Sequence, residues 1–383
     1  MGLLSASHLA TDFANGALPA LIPFLRDRFS LSYTLVGVLV LSSQASSSLI
    51  QPLFGLWSDR RGALWLLPGG VALAGVGIAL AADAPQYWLV VVFVLVSGVG
   101  VAAFHPEGSK FAGYVSGRKR ASGMAWFSIG GNIGFALGPV VTTLLVHQYG
   151  LRGGFLLALP CLGVAAVALA LTPYLRGFAS AGRAALAREG ADQPRAMGLL
   201  LGVIALRSVA WFGLITFVPL WEVHLGHSKS HGNQLLALML FAGGIGTLVM
   251  GPLADRFGRR PVLLSCVIAT SPLMYIYLAV GGVPGAVALA LVGASVVGTF
   301  GVTMVMSQEY LPRHIGMASG LSIGMSVGLG GIGAVALGRL ADATSLETAL
   351  YAAAAAPLLA IVLAAMLPSS RRRRALEPEL VVP

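Results

Sequence analysis

The sequence predicts an all-α membrane protein, with twelve transmembrane helices in two pseudo-symmetric six-helix bundles. Three observations predict it. Hydrophobic residues make up 57% of the 383 positions and charged residues only 10%, at a mean hydropathy of +0.85; soluble domains carry about 25% charge. Apolar windows recur at the ~20-residue length a bilayer-spanning helix needs. They are continuously apolar, not alternating as in a membrane β-barrel. Finally, two polar motifs recur at separations of 193–196 residues, the mark of a doubled unit.

The windows are 4–25, 33–57, 64–82, 86–106, 121–146, 152–174, 197–221, 232–253, 261–280, 284–306, 315–339 and 346–367. They divide the chain into an N-terminal bundle (1–175), a linker (176–196), a C-terminal bundle (197–368) and a basic tail (369–383). Of the 24 Lys and Arg residues, 18 fall in the loops after even-numbered spans or in the tail, and 5 fall on the other side. This bias places both termini and the linker in the cytoplasm. It also accounts for the net charge of +10 without nucleic acid as a partner. The run Arg371–Arg374 suits anionic headgroups. The 50 glycines suit close helix packing in lipid. Cys161 and Cys266 both lie in apolar runs and are expected as free thiols.

Polar residues inside the spans are the candidate working groups. In SHLATDFANG, His8, Asp12, Asn15 and Pro19 recur at i, i+4, i+7 and i+11, one stripe of a helix. An ionisable stripe is costly in lipid, so it faces a cavity or another helix. Asp12 is read as a proton-binding or substrate-binding carboxylate tuned by His8. Arg207 is the basic residue deep in a span, within one residue of the repeat counterpart of Asp12. Its guanidinium fork suits an anionic solute such as a phosphonate or carboxylate. Alternatively, it pairs with Asp12. Trp211, one turn on, stacks with substrate or packs. Gln44, in a serine-rich span, and Asn132 are further cavity donors.

FHPEGSK (104–110) is read as closing span four, with Pro106 ending or bending the helix and His105 and Glu107 at the cavity mouth as proton relay or gate. Glu309 stands at the matching end of span ten. His224, His227 and His231 occupy a short external loop without Cys, and are read as solvated, pH-sensitive side chains with no metal expected. No Gly-rich phosphate loop or catalytic set is visible, so neither an enzyme nor ATP-driven chemistry is expected.

GLWSDRRG (55–62) and GPLADRFGRR (251–260) are the first repeated pair, each following the second span of its half. The second copy resembles the loop motif of the major facilitator superfamily, G-x-L-x-D-R-x-G-R-R. The first departs from it at Trp57, Ala63 and Leu64. GNIGFALGP (131–139) resembles the Gly/Pro motif of the antiporter branch. DFANGALPALIPFL (12–25), QPLFGLWSDR (51–60) and GVGVAAFHPEGSKFA (98–112) resemble the fosmidomycin resistance family of bacterial drug efflux transporters, which has Gln at the position of Asn15.

The resemblance implies that spans one, four, seven and ten line a central cavity. It gives Asp59, Arg60, Asp255 and Arg256 a role in conformational switching. It sets Gly134, Gly138 and Pro139 at the contact between the halves. The function expected is proton-coupled antiport of a small drug or metabolite, anionic and phosphonate-like, by alternating access. The partners expected are that solute, protons and the lipid bilayer. No cofactor is needed beyond the proton gradient of a bacterial inner membrane, and the chain is expected as a monomer. A proton-coupled uptake symporter shares this architecture. A non-transporting membrane sensor would need a signalling domain that no long soluble segment supplies.

Overall fold

A computed structural model describes residues 1–61, 63–116, 120–177, 191–312 and 315–368. These are helical almost throughout: α1 (Gly2–Phe29), α2 (Tyr33–Leu49), α3 (Gln51–Arg61), α4 (Leu66–Ala82), α5 (Tyr87–Ser116), α6 (Arg120–Tyr149), α7 (Ala158–Ala170), α8 (Thr172–Arg176), α9 (Pro194–His224), α10 (Lys229–Phe257), α11 (Arg259–Val280), α12 (Gly282–Tyr310), α13 (Ile315–Ala343) and α14 (Leu346–Met366). The central part of the linker and the basic tail lie outside the described residues.

Twelve spans result, with two of them broken. Span two is α2 plus α3, interrupted at Ile50. Pro52 has no N–H to continue the ladder, and a new helix starts from the Ile50 carbonyl, which accepts from Leu53 at 3.0 Å and Phe54 at 3.2 Å. Span six opens as a 3₁₀ turn, Gly150–Leu157, before α7 and α8. Gly150 there has φ +65°, a conformation that costs glycine little.

Span four runs on well past its expected end. Pro106 sits inside α5, which continues to Ser116. Proline withdraws one backbone donor from the turn before it. The carbonyl left without its helical donor is that of Ala102, four residues back; beside it, the Val101 carbonyl accepts additionally from Nδ1 of His105, at 2.9 Å.

The N-terminal bundle is drawn tight where α6 meets α1. A Cβ on Gly130, Gly134 or Gly138 would strike the α1 backbone at Ser5, Leu9 and Gly16–Ala17 respectively. These glycines sit at four-residue steps and form one face of α6. Gly134 and Gly138 therefore join two helices of one half, not the two halves as the motif resemblance implied. Pro139 keeps the link across: its carbonyl accepts from the Thr143 hydroxyl at 2.7 Å, and that oxygen accepts from Asn233 of α10 at 2.8 Å.

The halves meet along two seams. On one, α2 lies against α13, with Gly37 under Ala334 and Val335, and Gly338 under Tyr33. Asp342, at the end of α13, accepts from the N–H groups of Tyr33 and Thr34. On the other, Asn233 of α10 also donates to the Ala20 carbonyl of α1 at 3.0 Å, and Lys229 pairs with Asp27. Asp27, Tyr33, Lys229 and Asp342 all stand at helix ends on the face opposite the termini. The molecule is thus closed on that face, and its cavity lies toward the termini.

Candidate functional site: a polar cavity between the halves

The cavity, about 350 Å³, is lined by Asp12 and Asn15 from α1, Gln44 from α2, His105 from α5 and Asn132 from α6. Arg207 and Trp211 from α9, with Phe300 and Thr303 from α12, form the opposite wall. Spans one, four, seven and ten all contribute.

On the N-terminal wall, Asp12 is held between two imidazoles. Its Oδ2 lies 3.2 Å from Nε2 of His8, and its Oδ1 lies 3.4 Å from Nε2 of His105. The i, i+4 spacing on α1 supplies the first contact. The second comes from α5. Nδ1 of His8 lies 2.8 Å from the Phe127 carbonyl, and the ring stacks on Phe127 at a centroid distance of 4.1 Å. Nδ1 of His105 faces the Val101 carbonyl. A carbonyl only accepts, so both Nδ1 atoms carry hydrogen. The two Nε2 atoms then converge on a carboxylate. With neither Nε2 protonated, three acceptors would face one another. The cluster therefore needs at least one proton on Asp12 or an Nε2 atom, and it has room for a second.

Space for this cluster comes from Gly131 of α6. A Cβ at that position would collide with the His8 ring and with Oδ2 of Asp12.

On the C-terminal wall, Arg207 is 3% exposed. Its Nη1 donates to Oγ1 of Thr299 at 2.8 Å, and its Cζ lies 4.4 Å from the centroid of the Phe300 ring. Its Nε is buried with no hydrogen-bond partner among the described residues. Arg207 and Asp12 line the same cavity but do not pair with each other: the imidazoles satisfy Asp12, and Thr299 with Phe300 holds the arginine. Trp211 meets Phe300 edge to face at 6.4 Å.

Thr299 and Phe300 were missed in the sequence. One signal was available: Ser295, Thr299, Thr303 and Ser307 recur every four residues along span ten, a hydroxyl stripe on a helix expected to line the cavity.

Glu107 is not at the cavity mouth. It is 1% exposed and turned toward span two. Ser58 of α3 donates to it, and Lys110 pairs with it at 2.9 Å and also donates to Ser58. The expected end of the helix at Pro106 misled here. In a continuous helix, residues two apart point about 200° apart, so His105 and Glu107 cannot both face the cavity. Glu309 makes the corresponding clasp in the second half, accepting from Nη1 of Arg259 at 2.6 Å. Asp255 and Arg256 are exposed, with the Arg256 guanidinium 5.2 Å from the Phe257 ring centroid. The side chains of Asp59 and Arg60 lie outside the described residues. Cys161 and Cys266 are free and buried, as expected.

The comparisons agree with this architecture. The Major Facilitator Superfamily profile matches residues 4–242 and 200–380. The chain is 32% identical to the uncharacterized MFS-type transporter YfnC of Bacillus subtilis (strain 168), over 97% of this chain and 93% of that one. It is 31% identical to the fosmidomycin resistance protein of Escherichia coli (strain K12), again over 97% and 93%. Among solved structures, a mutant of the nucleoside transporter NupG superposes with a TM-score of 0.77 at 13% identity, covering 95% of this chain and 98% of that one. The xylose transporter XylE from E. coli, in a partially occluded inward-open conformation, gives 0.75 at 12% identity, covering 96% and 97%. The chain is a multi-pass membrane protein and belongs to the major facilitator superfamily of transporters.

Proposed function

We propose that the chain is a proton-coupled antiporter that exports a small anionic drug or metabolite, phosphonate-like in charge, across a bacterial inner membrane. One observation carries the reading. A carboxylate bridging two imidazoles faces a cavity whose other wall holds a buried guanidinium whose Nε has no partner among the described residues. The first group exchanges protons. The second attracts an anion, because a buried donor without a partner is costly.

In this reading the termini and the open side of the cavity are cytoplasmic. The anion enters from there and is held by Arg207, with Asn15, Asn132, Gln44 and Trp211 around it. Rocking of the halves opens the far face. Protons arriving from outside then load the Asp12–His8–His105 cluster, the solute leaves, and the return swing delivers the protons inside. The likeness to the fosmidomycin resistance protein supports the drug-export direction and the phosphonate-like charge. The resemblance to antiporter motifs in α6 supports exchange. Neither a cofactor nor a second copy of the chain is needed for this cycle.

The test is transport in proteoliposomes under an imposed pH gradient. Asp12→Asn should abolish gradient-driven transport while the protein still folds and still performs solute exchange. Full gradient-driven transport by that variant would refute the role of Asp12. Vesicles of opposite orientation report direction, and uptake driven by inward protons would turn the assignment from antiport to symport.

A further inference from the structure

On the face opposite the termini, α9 ends and α10 begins around a second carboxylate–imidazole group. Glu222, in the last turn of α9, is 3% exposed. His227 and His231 flank the start of α10. Nδ1 of His227 lies 2.7 Å from Oε2 of Glu222, and Nε2 of His231 lies 3.5 Å from the same oxygen. The three ligand atoms all lie within 4.8 Å of one another. The other carboxylate oxygen, Oε1, accepts from the Tyr277 hydroxyl of α11 at 2.7 Å.

We propose that Glu222, His227 and His231 form a binding site for a divalent cation of the zinc class. Four features support it. Two imidazole nitrogens and one carboxylate oxygen are the borderline donors that Zn²⁺ takes, with a fourth position left for water. In a tetrahedral site with bonds of about 2.0–2.2 Å, donors stand roughly 3.3–3.6 Å apart, so small side-chain movements complete the geometry. Tyr277 orients the carboxylate from behind, the usual outer-shell support of a metal ligand. Finally, Glu222 is a buried carboxylate without an arginine or lysine among its described partners. Lys229, the nearby cation, is committed to Asp27. A bound divalent cation balances that buried charge.

The remaining histidine of the loop takes no part: His224 stacks on Trp221 at a centroid distance of 5.5 Å. The spacing of the histidines alone therefore did not reveal the group. The decisive ligand is the acid that precedes them. Lys229 stands between the two ligand histidines, so an occupied site also fixes the turn that carries one half of the Lys229–Asp27 contact.

The test uses the full-length chain, purified through a tag without histidines, stripped with chelator and titrated with Co²⁺ and Zn²⁺. The expected result is saturable uptake of one Co²⁺ per chain, with the intense visible bands of four-coordinate cobalt, displaced by Zn²⁺. His227→Ala and His231→Ala, both at half-exposed positions, should lose those bands while keeping their circular dichroism and elution volume. His224→Ala should keep them. Absence of stoichiometric binding in the wild type overturns the proposal, as does equal binding after both ligand histidines are removed. The binding readout does not depend on transport and stands apart from the antiport reading.

Discussion

Asp342 of the C-terminal half caps the first turn of α2 in the N-terminal half. Its Oδ2 accepts the Thr34 N–H at 2.8 Å and the Thr34 hydroxyl at 2.6 Å, while Oδ1 accepts the Tyr33 N–H at 2.8 Å. A carboxylate at a helix N-terminus meets both unpaired donors and the positive end of the helix dipole. This contact exists only while the halves are together on that face. Asp342→Ala should raise the ratio of open to closed molecules about fivefold, the equivalent of roughly 1 kcal/mol for a lost cap. Spin-label distances across the two loops would measure it.

The same contact has a pH dependence of defined sign. Asp342 lies beyond the apolar run 315–339. Its slight burial pushes the carboxyl up, but hydrogen bonds from Thr34, Tyr33 and Ser32 outweigh this and hold it below its ordinary value. A group lowered in the closed form favours closure above the ordinary carboxylate pKa. That contribution is lost as pH falls through the lowered value. Acidifying the Asp342 side should therefore open the wild type, and Asp342→Ala should remove that part of the response.

Gly131→Ala should uncouple transport from the pH gradient without unfolding the protein. Its methyl group would enter the space shared by His8 and Asp12. Solute exchange at equal pH on both sides should persist, while gradient-driven accumulation should fall as it does for Asp12→Asn. Parallel counterflow and gradient assays in proteoliposomes separate the two.

Arg207→Lys should weaken binding of an anionic solute about tenfold or more, although the charge is kept. The fork that reaches Thr299 while stacking on Phe300 cannot be rebuilt from an ammonium. Equilibrium binding of a phosphonate probe would show it, and a neutral analogue of similar size should bind both forms alike.

Gly134→Ala should destabilise the fold, by about 1–3 kcal/mol or more, because the added carbon meets the Leu9 carbonyl and not a side chain that can turn away. Gly163→Ala, inside α7 and with nothing within 4 Å, should be neutral or stabilising by up to about 1 kcal/mol. Melting curves in one detergent would compare the two.

Much of this was legible in the sequence, for identifiable reasons. The stripe His8–Asp12–Asn15 could be assigned to one face because helical spacing fixes it, and the repeat placed Arg207 across from it. The partners could not be assigned the same way. His105 could be set near the cavity, but its contact with Asp12 depends on how α5 packs against α1; Glu107 turns away because α5 continues through Pro106, and a lone proline does not reveal whether its helix stops. Thr299 is legible only as one of four hydroxyls at helical spacing and Phe300 not at all, because their roles depend on the rotation of α12 toward α9. Glu222 reads as a loop acid until the turn folds two imidazoles over it.

The glycine face of α6 has a mechanical consequence. Because α6 touches the α1 backbone directly, no pliable layer of side chains separates the two helices. The carboxylate on α1 and Asn132, which packs against Gly244 of α10, therefore ride on one stiff lever. In the proposed cycle, a charge change at Asp12 would act on a helix pair that already touches α10 through Asn132.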